Sequence, residues 1–115
     1  NAYWPFCGEV YILEQDKDVL KWLRPALSQF AIYWKHNSQR YIPDFVVETK
    51  DVIYMVEIKA ETDIDDADVQ EKAAAGKKYC DAVTEFNLKN RGKKWEYLLI
   101  PHSAVALNMS FMSFA

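Results

Sequence analysis

The chain has 115 residues, half of them hydrophobic and 15% aromatic, which suffices for one buried core and excludes disorder of the whole chain. Fourteen basic residues against 17 acidic ones leave a net charge of −3, the wrong sign for a duplex-binding module that relies on its own phosphate contacts. No apolar run is long enough to span a bilayer, no secretory leader pattern opens the chain, and Cys7 and Cys80 make neither a CxxC nor a Cys/His metal spacing. They read as two buried thiols in a reducing cytoplasm. Asn1 stands first and both ends are apolar, so residues 1–115 are read as a single domain, a fragment of a larger multidomain polypeptide.

Glu9 to Leu13 has helical character. Asp16-Lys17-Asp18 is a turn, after which Val19, Leu20, Trp22 and Leu23 follow with helical spacing until Pro25 stops them. Phe30 to Lys35 (FAIYWK) is aromatic and β-branched, the pattern of a strand, and His36 to Gln39 is a polar turn. Tyr41 to Glu48 (YIPDFVVE) is a second strand, with Pro43 near its start, where a missing N–H is tolerated. Thr49 to Val52 turns the chain into a third strand, Val52 to Ala60 (VIYMVEIKA), so continuously apolar that both faces should be covered. In the acidic stretch Glu61 to Asp68 an Asp caps a helix of about five turns, whose buried face is Val69, Ala73, Gly76, Cys80 and Val83. Asn87 to Lys94 is a polar loop, and Trp95 to Ile100 (WEYLLI) is a fourth strand closed by Pro101. The order α-β-β-β-α-β implies an α/β domain with a mixed sheet of about four strands and helices packed on it.

Charged residues interrupt two of these strands. Side chains alternate along a strand, so Ile53, Met55, Glu57 and Lys59 share one face. Burying Glu57 and Lys59 there is costly unless they are paired or hold a metal. Asp44 is a parallel oddity in YIPDFVV, and a short turn between the two strands can bring it beside Glu57. Two clustered carboxylates suit Mg²⁺, which takes oxygen ligands and keeps several waters. A nearby lysine can orient a water or stabilise charge developing on a phosphate. The pattern suits metal-assisted hydrolysis of a phosphodiester, although the same three residues also suit a structural ion-pair cluster.

Pro43-Asp44, then twelve residues, then Glu57-Ile58-Lys59, resembles the signature of the PD-(D/E)xK nuclease superfamily. RYIPDFVVET, IYMVEIKAE, DVQEKAAAGKKYCDAV and GKKWEYLLIPHSAV together resemble the C-terminal endonuclease domain of the restriction subunit of type III restriction enzymes, from about Val19 to Val105. The resemblance implies a restriction-endonuclease-like fold and Mg²⁺-dependent DNA cleavage. It implies Asp44, Glu57 and the main-chain carbonyl of Ile58 as metal ligands, and Lys59 as the group that serves the attacking water. Related nucleases carry a polar or basic residue on the helix after ExK, where Gln70 and Lys72 stand, so Lys72 is a further catalytic candidate. Many members also use a Glu on the first helix. Glu9 and Glu14 are the candidates here, but the family's acid aligns with Phe6. The implied partners are double-stranded DNA, a helicase domain and a modification (methyltransferase) subunit, with ATP entering only through the helicase part. A competing reading keeps the fold as a catalytically degenerate docking or nucleic-acid-binding domain.

The remaining signals have plainer readings. The acidic run 61–68 is expected to flank a capped helix, and His36 and His102 to have surface or packing roles. Trp4, Trp22, Trp34 and Trp95 are expected mostly in the core. Lys77, Lys78, Lys89, Arg91, Lys93 and Lys94 form the one dense basic region; Lys77, Lys78, Lys93 and Lys94 are the candidates for DNA phosphate contacts. The apolar tail FMSFA reads as a segment that docks on a neighbouring domain or a second copy.

Overall fold

A computed structural model of the chain describes residues 7–25, 32–34, 39–104, 111 and 114. Helix α1 (Cys7–Gln15) comes first, followed by strands β1 (Lys21–Leu23), β2 (Ile32–Trp34), β3 (Gln39–Tyr41), β4 (Phe45–Glu48) and β5 (Val52–Lys59). Helix α2 (Ala67–Lys89) and strand β6 (Lys94–Pro101) complete the regular elements. The main sheet runs β1-β4-β5-β6. Strands β1, β4 and β5 are antiparallel neighbours, whereas β6 lies parallel to β5. A parallel pair needs a long crossover, which α2 supplies. This is the mixed α/β architecture expected of a restriction-endonuclease-like domain.

The β4–β5 hairpin is set by Thr49. Its N–H and its hydroxyl both donate to the Val52 carbonyl, at 2.9 and 2.8 Å. The resulting register pairs Phe45 with Val56 and Glu48 with Ile53, so apolar side chains of the two strands meet on the same faces. Strand β5 is buried on both sides, as its composition demands. Tyr54, Val56 and Ile58 join Ile12, Leu13, Phe45, Val47, Ile100 and Phe111 in a core beneath α1. Met55 faces the other way and packs with Ile32 and Cys80 beneath α2.

Asp66 caps α2 by accepting the Asp68 N–H at 2.8 Å. The helix lies very close to the sheet at Gly76. A Cβ built there would stand 2.5 Å from the Tyr97 ring and 2.8 Å from the Tyr41 hydroxyl. Only glycine permits this approach.

Three expectations are corrected. Residues 19–23 do not form a helix; Trp22 and Leu23 belong to β1, an edge strand registered on Val47 and Val46. Three residues are too few for periodicity to separate strand from helix, and Lys21 and Leu23 are exposed. The segment FAIYWK contributes β2, but β2 pairs with β3 in a separate two-stranded sheet rather than joining the main one. In place of the docking expected for the apolar tail, its Phe111 is buried against this domain, with its ring 5.2 Å from that of Tyr54. No helix among the described residues is long and apolar enough to cross a membrane.

Candidate active site

The expected second strand breaks before Asp44, which sits in a bend between β3 and β4. The break re-aims its backbone and side chain together. The Asp44 N–H donates to the Val56 carbonyl at 3.0 Å. The Asp44 carboxylate in turn accepts the Ile58 N–H through Oδ2, at 2.8 Å. Asp44 thus clasps β5 on both sides of Glu57. Pro43, buried beside it, can lack an N–H here because the regular ladder starts only at Phe45.

Glu57 is 5% exposed. Its position in β5 turns it away from the α1 core, toward the face shared with Met55 and Lys59. Its Oε1 is buried with no hydrogen-bond partner. Burial, and next the negative charge of Asp44, push the Glu57 carboxyl up to about 8; Lys59 and Lys72 offset part of that rise. Asp44 is also raised by burial, against the opposing effects of the Ile58 N–H and the charges of Lys59 and Arg24. Two carboxyls are thus raised in one place, both first by burial and Glu57 also by the charge of Asp44.

The neighbouring lysines do not supply opposite charge by contact. Among the described residues the lysine ion pairs are Lys93–Glu48 and Lys94–Glu96, and the His102 imidazole lies near Glu9; neither Lys59 nor Lys72 closes an ion pair with Asp44 or Glu57. The structural ion-pair cluster is therefore not formed. Lys72, in the second turn of α2, holds its ammonium 4.8 Å from the Trp34 ring centroid and 6.0 Å from that of Tyr41. The Tyr41 hydroxyl donates to the Lys72 carbonyl at 2.9 Å, which ties β3 to the helix. Tyr41 and Tyr97 titrate well above an ordinary phenol, first through burial, with the charge of Glu57 adding to both.

The other candidates fall elsewhere. Gln70 is spent at the helix start, where its side-chain amide donates to the Ile64 carbonyl at 2.6 Å. Glu14 accepts the Trp22 indole N–H at 3.1 Å. Glu9 is 6% exposed and lines a small cavity together with Phe45, Ile58 and Ile100, on the α1 side of the sheet rather than the Glu57 side. Both of its oxygens lack hydrogen-bond partners, and the exposed His102 imidazole stands 3.5 Å away. Phe6 and His36 lie outside the described residues. No group of three or more His, Cys, Asp or Glu that could hold a metal occurs among the described residues.

Lys77 and Lys78 are exposed on α2. Lys93 is engaged by Glu48 and the Thr49 carbonyl, at 2.6 and 2.8 Å, and Lys94 by Glu96 at 2.7 Å. Lys94 is registered on Val52, whereas Lys59 is registered on Pro101. Lys93 and Lys94 therefore stand about five strand residues, roughly 17 Å, from the acidic pair. Arg24 was not singled out by sequence reasoning, because it appeared only as the last residue before Pro25. It follows β1 and holds its guanidinium carbon 5.5 Å from the Phe45 ring centroid, next door to Asp44.

Asp44 and the unpartnered oxygen of Glu57 are the carboxylate oxygens the site brings together. Such a pair fits a hard divalent ion, which takes one or two protein carboxylates and completes its shell with water. An acid at the approach to one strand, an E-x-K on the next and a mixed sheet crossed by a helix define a restriction-endonuclease-like nuclease domain. The sequence matches the TnsA-like endonuclease N-terminal family over residues 16–85. That match covers more than half of the chain, and the chain belongs to this family of nuclease domains. No curated protein and no solved structure matches it significantly.

Proposed function

We propose that this chain is a Mg²⁺-dependent DNA endonuclease module whose reaction centre is Asp44, Glu57 and Lys59. The observation that carries the reading is Glu57: a buried carboxylate with an unpartnered oxygen, set beside a second carboxylate and closed by no ion pair. Leaving such a group unsatisfied costs roughly 1–3 kcal/mol or more, a cost that a bound cation removes. Family membership supports the reaction class.

Asp44 and Glu57, with the Ile58 carbonyl, hold the ion. When bound, Mg²⁺ supplies charge neutralisation at the scissile phosphate and acidifies coordinated water. Asp44 is kept in place by its hydrogen bond from Ile58. Lys59, on the same face as Glu57, orients the attacking water. Lys72 stands over Trp34 and Tyr41 and stabilises charge on the phosphate as water adds to phosphorus and the P–O bond to the departing sugar oxygen breaks.

The substrate in this reading is double-stranded DNA, with Lys77 and Lys78 as outlying phosphate contacts. The four-segment similarity supports a parent of the type III restriction class, with a helicase domain and a modification subunit choosing the site and delivering DNA. The net charge of −3 agrees with such dependence, since it makes autonomous duplex binding weak. Supercoiled plasmid nicking in Mg²⁺ tests the chemistry. The wild-type chain should nick, and Lys59→Ala and Asp44→Ala should each reduce the rate at least a hundredfold. Equal rates for all three proteins overturn the assignment.

A further inference from the structure

We propose that Tyr41 is a positioning residue for Lys72, which fixes the lysine beside the acidic pair through its hydroxyl and its ring and so makes the β2–β3 hairpin a working part of the nuclease centre. The proposal rests on the nuclease reading above and adds to it a residue that acts through Lys72 rather than on the metal or the phosphate.

The topology argues for it first. Strands β2 and β3 stand outside the main sheet, yet one face of their hairpin is turned inward. Ile32 and Trp34 are buried while Tyr33 between them is exposed, and Tyr41 is registered on Ile32. Tyr41 packs against the cluster of Ile32, Met55 and Cys80, on the side of β5 that also carries Glu57 and Lys59. Opposite and diagonal side chains on one face of an antiparallel pair lie within reach of each other, which brings the rings of Tyr41 and Trp34 to the same lysine.

The ring contacts come next. The Lys72 ammonium lies 4.8 Å from the Trp34 ring centroid and 6.0 Å from that of Tyr41, and it closes no ion pair with Asp44 or Glu57. An ion pair would neutralise the ammonium, whereas ring faces hold a cation and leave its charge in place for an incoming anion. Lys72 is near enough for that charge to act on Glu57. A lysine stem is flexible, so whatever holds its head decides where the charge stands.

The hydroxyl fixes the backbone of the same residue. It donates to the Lys72 carbonyl at 2.9 Å, and a Cβ added at Gly76 would stand 2.8 Å from it. Residues four apart are neighbours on one face of a helix, so a single hydroxyl meets α2 at both Lys72 and Gly76. Tyr41 therefore sets where α2 lies at the turn that carries Lys72, and its ring helps to hold the ammonium at the end of that side chain. Such placement matters to the reaction, because a misplacement of about 1 Å in a reacting group can cost about a hundredfold in rate.

The test uses the 115-residue chain, its Tyr41→Phe and Lys72→Ala variants and the double variant, with a short fluorescein-labelled DNA duplex cleaved in Mg²⁺ under single-turnover conditions. Tyr41→Phe keeps the ring and removes the hydroxyl. It should lower the rate at saturating duplex about tenfold and change the half-saturating concentration by less than about twofold. Lys72→Ala should lower the rate about a hundredfold, and adding Tyr41→Phe to it should cost nothing further, because Tyr41 acts through Lys72. A wild-type rate in Tyr41→Phe overturns the proposal, as do losses that multiply in the double variant, the result expected if Tyr41 only props the hairpin. NMR gives a readout that needs no cleavage. The Lys72 ε-methylene resonance should be shifted upfield by the two rings in wild type and should move toward the free-lysine position in Tyr41→Phe; a free-lysine position in wild type also overturns the proposal. Asp44→Asn separates the two levels. If it cleaves like wild type, the nuclease reading fails and the role of Tyr41 falls with it; if it abolishes cleavage while Tyr41→Phe cleaves like wild type, only the Tyr41 assignment fails.

Discussion

The backbone N–H of Ile58 donates to the Asp44 carboxylate at 2.8 Å, and Ile58 is the middle residue of Glu57-Ile58-Lys59. The central residue of the E-x-K segment therefore holds the acid that precedes β4 in place. Asp44→Asn can keep this bond, because its amide oxygen still accepts, whereas Asp44→Ala orphans the Ile58 N–H. Asp44→Ala should lose about 1–2 kcal/mol of stability relative to Asp44→Asn. Urea denaturation at pH 7 measures the difference, and equal midpoints contradict it.

Glu57 predicts a pH dependence with a definite sign. Its carboxyl moves from an ordinary 4.5 up to about 8 in the folded chain, through burial and then through Asp44. Below about pH 4.5 both folded and unfolded states hold the proton, and above about 8 neither does. Between those values the folded state binds the extra proton, so metal-free stability falls as pH rises. Asp44, also raised, acts in the same direction. The melting temperature in EDTA should fall between pH 5 and 8, and Glu57→Gln should flatten much of the fall. A melting temperature that rises over this range contradicts the burial of Glu57.

The same proton competes with the metal. Filling the site releases it, so apparent Mn²⁺ affinity should climb toward tenfold per pH unit up to about pH 8 and then level off. Calorimetry in two buffers of different ionisation heat should give close to one proton released per ion near pH 7. No proton release contradicts the pairing of Glu57 with the ion.

Gly76 sets the height of α2 above the sheet. Gly76→Ala gains about 0.8–1 kcal/mol of helix propensity. It also drives a methyl into the Tyr97 ring and the Tyr41 hydroxyl, 2.5 and 2.8 Å away, and forced overpacking costs about 1–3 kcal/mol. The clash wins, because both neighbours are anchored: Tyr41 by its bond to the Lys72 carbonyl, and Tyr97 within β6. Net destabilisation of about 1–2 kcal/mol is expected, together with slower nicking as Lys72 shifts. A variant more stable than wild type contradicts this packing.

Glu9 is a buried carboxylate whose oxygens have no hydrogen-bond partner, among Ile12, Leu13, Phe45 and Ile100. Glu9→Met replaces it with an apolar side chain of similar length and should stabilise the chain by about 1–3 kcal/mol. Thermal unfolding measures the change, and a lower melting temperature contradicts the apolar setting.

Much of the site was legible because its residues break strand rules. Asp44 in YIPDFVV and Glu57 and Lys59 in VIYMVEIKA are charges where period-two burial calls for apolar side chains, and the hairpin turn at Thr49 made the two strands neighbours. The long helix was legible from its repeating small and apolar face. The edge strand β1 was not, because Val19 to Leu23 fits helical spacing and alternation equally well over so few residues. Arg24 was hidden for the same reason: its place beside Asp44 exists only once β1 pairs with β4. Glu9 could not be assigned to a face from sequence, since the orientation of α1 is set by the core it covers. The ends of β5 and β6 separate Lys94 from Lys59, and no local pattern marks which end of a sheet a loop occupies.

The central claim is that Asp44 and Glu57 together grip one divalent ion. A Mn²⁺ titration of the 115-residue chain at pH 8, read by electron paramagnetic resonance, tests it most directly across wild type, Asp44→Asn and Glu57→Gln. The account predicts saturable binding in wild type and at least a tenfold loss of affinity in each variant. Equal titration curves for all three folded proteins would contradict it.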